Sequence, residues 1–236
     1  MRRLALLSLV TLACSSEPVD VAQPRVTDIF LSDASPTTLI PGTRLFLHGG
    51  GFLPGFAGPT AVTIRGEHAG EGFSVTLPAT FDDYDRIHLD WPGAAAVGLP
   101  ADTGAIAAQT SVSVANACAG QLHESAPTPF TVTVAPALEP SIGALEHTVT
   151  HVNDPVVVQG DGFLLGGLEG ETVAIVSGCF TAEGESECVP VGPAEVTTSA
   201  TDRGTTTFPF APSIAGIRSG TFSGTVLQST RSTFRP

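Results

Sequence analysis

"LFLHGGGF" at Leu45–Phe52 and "VVVQGDGF" at Val156–Phe163 lie 111 residues apart and share one plan: an apolar run, a Gly-x-Gly step, then phenylalanine. Two chemistries place glycines after an apolar run. A phosphate loop cradles an anion with backbone N–H groups at the start of a helix, with Lys and Ser/Thr at hand. A structural corner uses glycine for positive φ or for a close backbone approach. Here "FLPGFAGP" follows the first stretch, and its prolines and glycines forbid a helix. The chain also has no lysine. The corner reading wins: Gly49, Gly51, Gly160 and Gly162 turn the chain, and Phe52 and Phe163 drop into a core.

The repetition extends beyond the corner. "TAVTIRG" (Thr60–Gly66) returns as "TVAIVSG" (Thr172–Gly178) at an offset of 112, and "DRIHLDWP" (Asp85–Pro92) matches "DRGTTTFP" (Asp202–Pro209) at 117. Ordered landmarks with slowly growing offsets mark a duplication, with five extra residues between Gly178 and Asp202. Within each copy the apolar residues alternate with period two, the signature of half-buried strands. Val62 and Ile64 share a face, as do Phe73, Val75 and Leu77; Ile87, Leu89 and Trp91; Val112 and Val114; and Val132 and Val134. The alanine-rich stretch Ala94–Ala108 is cut by Gly98, Pro100 and Gly104, so no long helix is expected there. Short alternating runs separated by turns predict an all-β chain of antiparallel sandwiches.

A proline near the start, a strand, Gly-x-Gly-Phe and another strand resemble the IPT/TIG domain, an immunoglobulin-like fold. Copy one carries this as "PRVTDIFLSDASPTTLIPGTRLFLHGGGFLPG" and copy two as "PSIGALEHTVTHVNDPVVVQGDGFLLG". The resemblance implies two tandem β-sandwiches, at residues 24–136 and 137–236. Copy one runs 49 residues past Asp85 to Val134 and ends on the plain strand "PTPFTVTV", whereas copy two has 34 residues after Asp202. The second sandwich is expected to lack a full last strand.

"MRRLALLSLVTLAC" begins with two arginines, continues with a short apolar run and ends on small Ala13 before Cys14. That is a secretory signal at residues 1–13. "TLAC" resembles a bacterial lipobox, and the resemblance implies cleavage before Cys14 and acylation of that cysteine. Residues 14–23 then form a tether. Ser15 and Ser16 follow the cysteine, which by the sorting rule of that family favours the outer membrane. The expected location is a bacterial cell envelope, held by lipid.

The formal charge of −13 excludes nucleic acid as a partner class, because phosphate binding needs cations. Gly-x-Ser-x-Gly never occurs, so no nucleophile elbow is present. His147 and His151 are four apart, but "EHTVTHV" reads as a strand, where such residues stand about 13 Å apart. Asp82, Asp83 and Asp85 form the densest acidic group; they suit calcium chemically, and equally suit a polar turn. Cys179 and Cys188 enclose eight residues and read as a disulfide in an exported protein, leaving Cys118 without a partner. No cofactor is expected. The resulting expectation is a non-catalytic envelope lipoprotein displaying immunoglobulin-like domains for binding, adhesion or spacing, with a protein or glycan partner. The alternatives are a carbohydrate-binding module, for which Trp91 and Tyr84 are the available aromatics, or an accessory subunit of an exported enzyme.

Overall fold

The computed structural model describes residues 29–56, 58–100, 104–116, 121–146, 149–151, 153–211, 214 and 219–231. The signal, the tether, Cys14, Cys118 and His147 lie outside the described residues. The described chain is all-β: sixteen strands and two short 3-10 turns.

Nine strands surround the first core. β1 (Phe30–Ser35), β3 (Arg44–Gly50) and β6 (Arg86–Asp90) form one sheet face. β4 (Thr60–His68), β7 (Gly104–Asn116), β9 (Thr128–Val134) and β2 (Thr38–Leu39) form the other, and β8 (Gln121–Glu124) flanks β7. β5 (Glu71–Asp83) belongs to both, pairing with β4 through Ala79 and with β6 from Thr80 onward. Alternation sorts the side chains as expected. Leu45, Leu47, Ile87 and Leu89 point in from one face, and Val62, Ile64, Ile106, Val132 and Val134 from the other. Trp91 and Phe52 complete this core. Among the described residues of Ala94–Ala108, a 3-10 turn at Ala95–Val97 precedes β7.

The second core repeats the plan with seven strands. β10 (Ser141–Leu145), β11 (Pro155–Asp161), β15 (Thr205–Pro209) and β14 (Ser199–Ala200) form one sheet. β12 (Glu171–Ala182), β13 (Val189–Thr197) and β16 (Gly220–Arg231) form the other. Val156, Val158, Phe163, Ala174, Val176 and Phe208 meet between them.

The glycine corners superpose. A methyl on Gly49 would collide with the carbonyl oxygen of Phe30, and one on Gly160 with that of Ser141, again 111 residues on. Gly51 and Gly162 have φ of 78° and 74°, where a side chain is strained. Phe52 and Phe163 follow, both fully buried. Among the described residues no α-helix begins after either corner; the second is followed only by the 3-10 turn Gly167–Glu169.

The later landmarks superpose differently from the sequence match. Leu45 and Leu47 pair with Leu89 and Ile87, while their duplicates Val156 and Val158 pair with Phe208 and Thr206. Leu89 therefore corresponds to Phe208 and Ile87 to Thr206, an offset of 119 rather than 117. The Asp-Arg match was two residues out of register. A slip of two keeps every side chain on its own face, so alternation alone could not reveal it. Val62 pairs with Leu77 and Ala174 with Val196, which gives the same offset. The insertion is thus seven residues long and lies in the β12–β13 hairpin. Cys179 and Cys188 close that hairpin as a disulfide, with Cα atoms 5.6 Å apart.

These constraints set the stability of three variants. Gly160→Ala should cost about 3 kcal/mol, because carbonyl and methyl cannot share the space and β10 must shift. Gly55→Ala, whose new methyl meets nothing within 4 Å, should stay within about 0.5 kcal/mol. Replacing both Cys179 and Cys188 by serine should cost about 2.7 kcal/mol through the freed ten-residue loop. Urea denaturation checks all three.

Candidate functional site

The most heavily engineered polar site lies where the two β units meet. Glu169 sits in the 3-10 turn Gly167–Glu169, and its side chain is 1% exposed. A lone carboxylate in that position would carry a large desolvation penalty. It is instead surrounded by donors. Arg203 grips it with both terminal nitrogens, Nη1 to Oε1 at 2.6 Å and Nη2 to Oε2 at 2.8 Å. The Thr43 hydroxyl donates to Oε2 at 2.9 Å, and the Leu165 N–H donates to Oε1. Planar two-pronged pairing of this kind is what a guanidinium offers and an ammonium cannot.

Thr43 and Thr38 belong to the first unit, whereas Glu169 and Arg203 belong to the second. Arg203 Nη2 also reaches the Thr38 carbonyl and Thr43 Oγ1, each at 3.2 Å. Its Nη1 donates to the Phe163 carbonyl at 3.0 Å. Thr43 is fully buried, and its Oγ1 accepts the Ile40 N–H at 2.9 Å. The glycine corner thus feeds the junction directly: the backbone of buried Phe163 bonds Arg203 through both its N–H and its carbonyl. Close approach of the units shows again at Gly42, where a methyl would strike the Leu168 carbonyl.

None of these residues stood out in the sequence. Glu169 is one acid in the glycine-rich "LLGGLEGE". Arg203 was read as part of a repeated Asp-Arg pair, but its structural counterpart in the first unit is Tyr84, which is 60% exposed. The only available signal was an acid placed among apolar and glycine residues, a hint of a buried, paired charge.

The residues the sequence did single out take other places. Asp82, Asp83 and Asp85 do not converge. Asp82 faces His88 Nδ1 at 2.7 Å and Arg86 Nε at 3.4 Å, while Asp83 accepts the Tyr84 N–H at 2.6 Å. The Asp85 carbonyl accepts the Gly49 N–H. Among the described residues, no group of three His, Cys, Asp or Glu side chains could hold a metal ion. His151 Nδ1 lies 3.0 Å from Asp154 at an exposed surface. Trp91 is 2% exposed, in the core where its alternation with Ile87 and Leu89 put it. Tyr84 remains at the surface, its ring edge-on to Phe81 at 5.4 Å.

Removing one partner of the junction leaves the other charge buried without its counter-charge. Arg203→Met and Glu169→Gln should each cost about 3–5 kcal/mol. Arg203→Met combined with Glu169→Leu should recover most of that loss, because an apolar pair of similar volume often replaces a buried ion pair at no cost. Denaturation of the three variants, with small-angle scattering to follow the relation between the units, checks both points.

No protein-family model matches the chain, and no curated protein matches it. Among solved structures it is similar to S. aureus TarS, at 5% identity and a TM-score of 0.33, covering 77% of this chain and 35% of that one. The plexin A4 extracellular region matches at 10% identity and a TM-score of 0.29, covering 77% of this chain and 20% of that one. A protein crystallised with a xylogluco-oligosaccharide matches at 15% identity and a TM-score of 0.26, covering 84% of this chain and 40% of that one. The chain spans well under two thirds of each of these three.

Proposed function

We propose that this chain is a non-catalytic, lipid-anchored envelope protein of a bacterium, in which two IPT/TIG-like, immunoglobulin-like sandwiches act as one stiff display or binding element. The observation that carries the reading is the buried Arg203–Glu169–Thr43 contact between the units. A tether needs no such contact, since an open chain alone keeps two domains together. A buried ion pair held at both carboxylate oxygens makes sense where the direction of one unit relative to the other matters. It supports a spacer or presenter whose far end must stand at a set place.

The anchoring half of the proposal rests on the leader. Arg2, Arg3, the apolar run and the Thr-Leu-Ala-Cys ending agree on export, followed by acylation of Cys14. Several chains on one cysteine hold firmly, at about 0.8 kcal/mol per buried methylene. The sugar-binding alternative loses its best platform, because Trp91 is core and cannot stack on a ring in solvent. The accessory-subunit alternative has no contact among the described residues that favours it.

Expression in a Gram-negative host with labelled palmitate tests the anchor. The wild-type chain should carry label and sediment with membranes, and Cys14→Ser should lose the label and appear in the soluble fraction. An unlabelled, soluble wild-type chain overturns the lipoprotein reading.

A further inference from the structure

The two units differ most at one sheet edge. In the first, β7 has β4 on one side and β9 on the other, and β9 also pairs in parallel with β2. In the second, β16 corresponds to β7. Val62 pairs with Val112, and its duplicate Ala174 pairs with Gln228; Gly66 pairs with Ala108, and Gly178 with Gly224. Among the described residues β16 pairs with β12 alone, and no strand corresponds to β9.

The surroundings of this edge differ accordingly. Ile106, opposite Val132 of β9, is 2% exposed. Phe222, at the same register on β16, is only partly buried against the second core. Thr38 and Leu39 form β2 by pairing with β9. Their duplicates, Val149 and Thr150, form no strand, and Val149 is 84% exposed. Both side-chain polar atoms of Gln228, on the core-facing side of β16, are buried without a hydrogen-bond partner among the described residues.

The edge also carries the pattern of what would fit it. On β7, Val134 of β9 lies opposite Gly104, Val132 opposite Ile106 and Phe130 opposite Ala108. Large thus faces small at two of three positions. β16 keeps small residues at those two, Gly220 and Gly224, with the Phe180 and Phe222 rings lying close over them. We propose that Gly220–Val226 is an acceptor edge for one antiparallel strand of a partner polypeptide. That strand would present an aliphatic side chain opposite Gly220, a β-branched one opposite Phe222 and an aromatic one opposite Gly224. Main-chain hydrogen bonds to the edge give affinity, and the alternate side chains give selectivity. A second copy of β16 fits poorly as the occupant, because its own core-facing residues include glycine at 220 and 224. The inference does not depend on lipid anchoring.

The probe is a fluorescein-labelled peptide with the sequence of residues 127–135, "PTPFTVTVA", titrated with the full chain. Saturable anisotropy change should be accompanied by slowed hydrogen exchange at the Gly220–Val226 amides that point away from β12. The same peptide carrying the change Val132→Asp should bind at least about tenfold more weakly, since its charge would enter an apolar site. Joining "TPFTVTV" to the C-terminus through a flexible linker should raise Tm and abolish peptide binding. Three results would overturn the proposal. The first is no saturable binding up to about 1 mM peptide. The second is exchange protection, in the free monomer, of those Gly220–Val226 amides that point away from β12. The third is a dimer in which those amides are protected without peptide.

Discussion

A carboxylate removed from water must be met by donors or it unfolds its surroundings, and Glu169 is met by residues drawn from both halves of the chain. The arrangement is demanding. It requires the Phe163 corner to present its backbone to Arg203, and it requires Thr43 to arrive from the other unit with its hydroxyl free to donate. Thr43 in turn depends on the turn that follows β2, where the Ile40 N–H bonds its side-chain oxygen. One buried charge thereby couples two β units, their connecting turns and the duplicated glycine corner. Such a pair adds little net stability over an apolar contact, but losing either half is expensive. On the proposed display reading, its value is specificity of arrangement.

The corner itself was legible because steric exclusion leaves a mark in composition. A backbone that approaches a neighbouring carbonyl closely, as at Gly49 and Gly160, tolerates no Cβ, and a φ near +75° strongly favours glycine. Both constraints act at single positions, so a duplicated unit repeats them at a fixed spacing. Period-two alternation was legible for the same local reason. Ile87, Leu89 and Trp91 are buried because a strand sends alternate side chains one way. Register was not legible. Strand pairing is a relation between distant segments, and a two-residue slip left every face unchanged, so Asp-Arg seemed to match Asp-Arg while the sheet aligned Leu89 with Phe208.

The junction was illegible for a further reason. An isolated glutamate in a glycine-rich loop has the composition of any solvated turn, and an arginine after an aspartate looks like a surface pair. What makes Glu169 and Arg203 special is that a second unit covers them, which is a fact about docking rather than about local sequence. The acidic cluster at Asp82–Asp85 shows the converse. Its density drew attention, yet its members serve His88, Arg86 and the local backbone separately. Density along the chain is poor evidence of convergence in space.

Duplication makes the second unit a natural control on the first. Where both copies keep a feature, as with the corners and the buried phenylalanines, the β plan itself demands it. Where they differ, something outside that plan has acted. At the position of Tyr84 the second copy carries Arg203, and that exchange turns a surface corner into half of the junction. At the edge of β16 the difference has the opposite sense: the first unit supplies β9, while the second leaves among its described residues an edge with no outer strand and a buried Gln228 amide with no partner, and Val149, the counterpart of Thr38 in β2, stands exposed. An edge of that kind is normally blunted by charge, proline or a bulge, because bare strand edges recruit other strands. From Gly220 to Val226 the segment "GTFSGTV" has neither charge nor proline, and its pairing with β12 runs without a register shift. The absence of such protection distinguishes an edge meant to be covered from one meant to face solvent.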